Sequence, residues 1–459
     1  MNPASLSIVE YGALGDGRQD CTAALQRALD EAAAGSAARR EVRLPPGVWL
    51  SGTLTLRSGI TLHLERGATL RAIDDPARFP HIEHPTLSRM DLFPWRAFLF
   101  GHGLEDITLT GEGTIECGGE YGVFHDGVAD SPDRPYGIHL VACRNVRLEG
   151  LRLRNAAHWM LRLLRCRDVT LRGLDIFNHA NLNNDGLDID SCDGVLVSDC
   201  RIDSSDDALC LKSETTEACR NVIVSNCLLS SHASAIKFGT ASIGGFANVT
   251  IAQCAILPSR AETMHHPFNL PKGMTGIDVA CVDGGPVEGL TFRDISMDGV
   301  LNPIFVKLGQ RYSTGTIPQN RRSGDAKSAP STLGKGTLRS LFFSGLQVRN
   351  AGPVASMIFG SMDHRIEDVT LRDVRIHLEN TPAPGAATTT PDWSPTGYPC
   401  AVSVAGKEAT PACGFHFRHI DGLVLDNVVV VPAPGETRES TELEGVERME
   451  RRGVPPPAP

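Results

Sequence analysis

Two short segments hold the residues best suited to chemistry. Asp185 opens Asp185-Gly186-Leu187-Asp188-Ile189, and an acidic pair opens Asp206-Asp207-Ala208-Leu209-Cys210-Leu211. Setting Leu187 against Leu209 puts Asp185 and Asp207 at one phase of a repeat, with Asp206 beside them. On neighbouring strands, Asp185 and Asp207 would lie about 5 Å apart. Two charges at that separation repel by about 3 kcal/mol at an effective dielectric of about 20, equivalent to about two pKa units. Such a trio is expected to keep a proton near neutral pH. Glycosidic bond hydrolysis uses that state: one carboxyl protonates the leaving oxygen, while ionised ones activate water or attack. Asp and Asn also build tight turns. Asp188, Asp190, Asp193, Asp199 and Asp203 are read as turn or solvated residues of that kind. The shared phase sets Asp185, Asp206 and Asp207 apart.

The elements that must position the trio come from a repeat. One cassette recurs, a polar pair followed by aliphatic residues at alternate positions. It runs Cys143-Arg144-Asn145-Val146-Arg147-Leu148, then Cys166 to Leu171, Cys192 to Val197, Cys219 to Val224 and Phe246 to Ile251. The central valines are spaced 23, 26, 27 and 27 residues apart. Weaker copies centre on Ile107, Leu290, Leu341, Val369 and Leu423. A period of two within each cassette means strands. Short strands in a unit of this length, separated by Gly, Asn, Asp and Ser, predict the coils of an all-β, single-stranded right-handed parallel β-helix. An amphipathic segment over residues 20–34, with Asp20 or Thr22 as its cap, is expected to be a helix covering the N-terminal end. The helix would bury Ala24, Leu25, Ala28 and Leu29. The β-helix is expected over residues 1–431, with 313–336 and 381–399 as loops and 432–459 as a poorly ordered tail rich in Pro and Glu.

Composition narrows the function classes. The chain has 459 residues, 41% hydrophobic and 21% charged, with a net charge of -10. A dedicated nucleic-acid binder would show a basic face, so no nucleic-acid partner is expected. No apolar run approaches the roughly 18 residues of a membrane span, so no membrane partner is expected either. The first fifteen residues show no leader signature, which favours a cytoplasmic location unless a leader was removed. The 13 cysteines recur at one phase rather than in CxxC pairs. Stacked reduced thiols fit that pattern better than disulfides or a zinc site. No cofactor or metal is expected, and the protein is expected to be a monomer.

At the aspartates the chain resembles glycoside hydrolase family 28, the polygalacturonases and rhamnogalacturonan hydrolases. The resemblance rests on Asn183-Asn184-Asp185, where the family has Asn-Thr-Asp, and on Asp206-Asp207, 21 and 22 residues later. It extends to Tyr11 to Gly17, Leu44-Pro45-Pro46-Gly47 and Gly111-Glu112-Gly113-Thr114-Ile115. It implies one-step inverting hydrolysis with Asp206 as general acid. Asp185 and Asp207 would hold and deprotonate the attacking water, and Asn183 would orient substrate. The chain also departs from the family. A Gly-His-Gly motif is replaced by Ser231-His232-Ala233-Ser234, so the histidine position falls on Ser234, and His232, two residues early, is a candidate to reach substrate from a loop. An Arg-x-Lys motif that grips a uronate carboxylate is replaced by Asp278 and Ala280. Lys237, at the phase of Asp278 one coil earlier, is a candidate substitute for it. Its alternative role is an ion pair with Asp188 or Asp278. Lys307, Arg311, Arg321 and Arg322 could add cations from later coils. Trp159 is a candidate sugar-stacking wall, its alternative being a buried aromatic.

The resemblance implies a hydrolase acting on pectic or related oligosaccharides, with a galacturonide or rhamnogalacturonan fragment as substrate. Insertions between Val249 and Leu341 could close one end of a cleft, which favours exo action. Two other readings share the fold: a polysaccharide lyase, which would need a basic residue near the trio, and a non-catalytic carbohydrate-binding solenoid.

Overall fold

In a computed structural model the described residues are 5–35, 40–82, 96–124, 134–262, 272–310, 335–382 and 410–453. The five cassettes are consecutive parallel strands in register. Val146 faces Val169, which faces Val195, then Val222 and Val249. The weaker copies continue the row through Leu290, Leu341, Val369 and Leu423, with Ile107 before Val146. Every one of these side chains is buried. The alternating residues face outward, which is why the cassette has a period of two.

A regular coil adds one strand to a twelve-stranded sheet and two to a 25-stranded sheet. Chain order along the twelve-stranded sheet is strictly sequential, from Leu54–Thr55 to Thr441–Glu444. This is the expected right-handed parallel β-helix.

The corners explain the Asn, Asp and Gly content. Asn145, Asp168, Gly194, Asn221 and Asn248 all have positive φ, between 50° and 76°. Five residues after each, a second corner repeats the conformation at Gly150, Gly173, Asp199, Asn226 and Gln253. Apart from Gln253, these are the residue types that tolerate the left-handed region best, and Asn and Asp add side-chain bonds. Asn221 Nδ2 donates to Asp193 Oδ1 at 2.6 Å, and Asn248 Nδ2 donates to Asn221 Oδ1 at 2.8 Å.

Cysteines line the interior beside both corners, at Cys143, Cys166, Cys192 and Cys219, and at Cys200, Cys227 and Cys254. All twelve cysteines among the described residues are buried and unpaired by disulfides.

The helix spans Thr22–Ala34, two residues shorter than expected at its start. Asp20 lies in the preceding strand and its Oδ1 accepts from the Thr22 backbone N–H at 2.8 Å. The helix buries Ala24, Leu25, Ala28 and Leu29 as predicted, together with Ala32. It packs against the strands Glu41–Leu44, Gly47–Ser51 and Leu54–Thr55, covering the first coil. Among the described residues no helix is long and apolar enough to cross a membrane.

The expected tail is corrected by the structure. Thr441–Glu444 and Glu447–Arg452 are strands that extend both sheets by one coil. Arg448 and Gly453 repeat the two corners at the same spacing of five. Met449 stacks on Leu423, so a largely charged strand is held by ladder hydrogen bonds and one inward side chain. Most of the two expected loops, and Arg311, Arg321 and Arg322, lie outside the described residues.

Candidate active site

The twelve-stranded sheet positions the trio. Strand Leu187–Asp190 pairs with Leu209–Ser213 in the register Leu187↔Leu209, and Leu209 pairs with Ile236. Asp185, Asp207 and Ser234 therefore stand at one phase on three consecutive coils. The ladder continues through them: Gly186 N donates to Asp207 O at 2.9 Å, and Ala208 N donates to Ser234 O at 3.0 Å. Gly186 is required here, because an added Cβ would lie 2.4 Å from the Ile202 side chain and 2.7 Å from Ala208 O.

Asp185 is buried, while Asp206, Asp207 and Asn183 remain partly exposed. Asp206 Oδ1 accepts from the Asp207 N–H at 3.0 Å, and Asp207 Oδ1 accepts from the Ser234 N–H at 3.2 Å. The hydroxyls of Ser204 and Ser231 donate to Asp206 O at 2.8 and 2.5 Å, fixing that turn. The preceding loop is held by buried amides. Asn178 donates to Asp185 O at 2.8 Å, and Asn184 donates to Ala156 O and His158 O at 3.0 and 2.8 Å. Buried Arg134 donates to Asn183 Oδ1 at 3.2 Å.

Beneath the trio lies a row of buried charges, of which sequence reasoning assigned Asp188 and Asp190 to turns, singled out Lys237 and Asp278, and overlooked Arg162 and Lys212. The outward positions of the sheet read Arg162, Asp188, Cys210, Lys237 and Asp278 from coil to coil, with Asp190 and Lys212 two residues further along their strands. All are buried. Arg162 is 3.3 Å from Asp190 and 2.9 Å from Glu214. Lys212 Nζ is 3.3 Å from Asp185 Oδ2 and 3.2 Å from Asp188 Oδ1. Lys237 Nζ is 2.5 Å from Asp278 Oδ2.

Five buried carboxyls (Asp185, Asp188, Asp190, Glu214 and Asp278) thus meet three buried cations. Burying excess negative charge is costly, so protons are retained. Burial and the charge of Asp188 push Asp185 well above the usual range, with Lys212 opposing. Burial raises Asp188 to about 6 against Lys212 and Arg162, and Asp278 to about 6 against Lys237.

Several expectations change. Asp188 and Asp190 are buried ion-pair partners, because the outward face of this sheet is covered. Asp203 is buried as well. It accepts from Ser259 Oγ at 2.7 Å and from the Arg260 N–H at 3.0 Å, and lies 2.9 Å from His179 Nε2. Those bonds outweigh burial and bring it down to about 2. Asp193 and Asp199 do sit on the solvated corners.

Lys237 takes its alternative role, a buried pair with Asp278. Trp159 is not an open platform. It is 4% exposed, with the Lys212 ammonium 4.5 Å from its ring centroid and the Arg162 guanidinium at 5.3 Å. His232 is buried with its ring 5.2 Å from that of His179, and its N–H donates to Ser204 O at 3.2 Å. His179, Arg162, Lys212 and Glu214 were missed. The register that aligned the trio also places Asp190 opposite Lys212, and that signal was present in the sequence.

Among the described residues one group has metal-binding spacing: Asp185, Asp188 and Cys210. Lys212 Nζ, 3.1 Å from Cys210 Sγ, already supplies the cation there.

Residues 49–376 match the sequence pattern of Glycosyl hydrolases family 28. The chain is 33% identical over 220 residues to a probable polygalacturonase of Vitis vinifera, covering 46% of this chain and 44% of that protein. It is 40% identical over 78 residues to an exo-poly-alpha-D-galacturonosidase of Dickeya chrysanthemi, covering 17% of this chain and 12% of the other. The matches thus span less than half the length of these relatives. The family 28 exopolygalacturonase of Yersinia enterocolitica superposes with a TM-score of 0.71 at 17% identity, covering 99% of this chain and 79% of that one.

Proposed function

This chain belongs to glycosyl hydrolases family 28, and we propose that it is an exo-acting, inverting hydrolase of galacturonide or rhamnogalacturonan oligosaccharides. The observation that carries the reading is the meeting of Asp185, Asp206 and Asp207 on adjacent coils, one carboxyl buried and two reaching solvent. Partly exposed Asp206 gives its proton to the leaving oxygen. Water held between Asp207 and Asp185 gives its proton to that carboxylate pair as it attacks the anomeric carbon, and the glycosidic C–O bond breaks in the same displacement. The Ser234 N–H holds Oδ1 of Asp207, and Oδ2 takes only a long contact from the Cys210 thiol at 3.9 Å. Asn183, oriented by Arg134, contacts the sugar beside the acid. Exo action draws support from the 40% identity over 78 residues to an exo-poly-alpha-D-galacturonosidase. Asp278, which stands where the family resemblance has its carboxylate-gripping motif and pairs with Lys237 of the preceding coil, favours a substrate other than plain polygalacturonate. The twelve buried free thiols among the described residues favour a reducing compartment.

The test is a product screen on galacturonan and rhamnogalacturonan oligosaccharides, wild type beside Asp206→Asn. Wild type should release a terminal sugar with inverted anomeric configuration and no ultraviolet-absorbing unsaturated product. Asp206→Asn should lose about 10²- to 10⁴-fold in kcat with the fold unchanged. Full activity in that variant would remove the acid assignment, and an unsaturated product would make the protein a lyase.

A further inference from the structure

Among the described residues Lys212 is a buried cation in direct contact with the trio, through Asp185. It is 7% exposed, so it does not face the open part of the site. Its ammonium lies between two carboxylates, 3.3 Å from Asp185 and 3.2 Å from Asp188, with Cys210 Sγ at 3.1 Å. The Trp159 ring closes a further side at 4.5 Å, a favourable place for a desolvated cation. A buried lysine is tolerated only where such partners surround it. Burial works against its charge, but Cys210, Asp188 and Asp185 outweigh burial and keep it protonated.

We propose that Lys212 is a positioning residue that acts through Asp185, weakening that carboxyl's hold on its proton and aiming it for water activation while Asp188 competes for the same ammonium. The proposal rests on the hydrolytic reading of the trio given above. An ammonium at 3.3 Å favours the ionised form of Asp185, and a carboxylate sharing that ammonium disfavours it. Other charged and titratable groups surround the pair. Asp206, Asp207 and Cys210 face Asp185 from the next coil. From the preceding coil come His158 and Arg162, the latter engaged with Asp190 and Glu214. Burial and nearby Arg134, Arg162 and Lys212 hold His158 neutral, and Arg162 is tied to its own carboxylates, so Lys212 is the cation that reaches Asp185.

Two substitutions should move the pH profile of kcat/KM in opposite directions. Lys212→Met removes the charge that favours ionised Asp185, so the acidic limb should move up by about one pH unit or more. The kcat of this variant near pH 5 should fall about tenfold or more, with KM changed less. Asp188→Asn removes the competitor and leaves the ammonium to Asp185, so the acidic limb should move down. A purely structural role would lower activity in both without this divergence. Limbs that stay in place, or move the same way, overturn the proposal. If Lys212→Met does not fold, Asp188→Asn decides alone: a downward shift supports the proposal and an unmoved limb rejects it. If wild type cuts no substrate, carboxyl-carbon NMR titration separates the two ideas. Asp185, assigned by its loss in Asp185→Asn, should still titrate higher in Lys212→Met and lower in Asp188→Asn. That result would keep the role of Lys212 while the hydrolytic reading fails.

Discussion

Acidic side chains stack along two faces of this solenoid, and the two stacks titrate in opposite directions. At the corners of the large sheet, Asp193 meets Arg220 and Asn221 one coil on, and Asp199 meets Arg172 and Asn226. These carboxyls border solvent. Bonds from Arg220 and Asn221 outweigh the slight burial of Asp193, Asn226 and Ser198 act on Asp199, and both sit below the usual range. On the twelve-stranded sheet the same residue type at the same coil spacing is enclosed, and burial drives Asp185, Asp188 and Asp278 up. Parallel stacking is common to both. What differs is access to water, which screens the corner ladder and leaves the buried ladder to settle its charge by ion pairs and retained protons.

The contrast is open to direct attack. Arg162→Met should be the most damaging change, because it strips Asp190 and Glu214 of their guanidinium in a fully buried setting. We expect a loss of about 3–5 kcal/mol in urea unfolding. Wild-type stability in this variant would mean that the buried ladder is no more demanding than the corners.

Asp203 sharpens the comparison, being buried yet lowered to about 2 by its bonds. Its folded pKa lies below the usual 3.8, so its contribution is present above about pH 4 and lost as pH falls through about 2. Asp203→Asn should cost about 2 kcal/mol at pH 7. The gap from wild type should narrow in unfolding curves taken towards pH 3. A gap that does not change with pH would assign the loss to packing.

Smaller effects belong to the corners. Asn221 has a φ of 57°. Asn221→Ala should lose about 1–2 kcal/mol while Asn221→Gly stays close to wild type, read from thermal unfolding. Equal losses would place the cost in the lost side-chain bonds. Smallest of all, Arg220→Ala breaks an exposed pair with Asp193 and should cost under about 1 kcal/mol, less still at high salt. A loss as large as that of Arg162→Met would end the distinction between the two stacks.

Much of the fold was legible because a solenoid repeats its local rules. The valine row gave the coil register, and that register brought Asp185 and Asp207 together. The corner spacing of five was equally legible. Applied to Arg448 and Gly453, it would have extended the solenoid to Arg452, where composition alone suggested a loose tail. Asp188, Asp190 and Lys212 were harder. Their outward phase was plain, but outward residues are usually wet, and no local pattern reveals that this face is covered. Trp159 followed the same course: its place before the strand was readable, its enclosure by Lys212 and Arg162 was not.

By itself the sequence determined which residues stack on which, since strand period and corner residues are local properties that each coil obeys. The tertiary structure alone decided which stacked carboxyls lie in water and which are sealed beside an ammonium. Solvent exclusion depends on segments far apart in the chain, and it sets whether an aspartate is ionised at a wet corner or holds its proton in the interior.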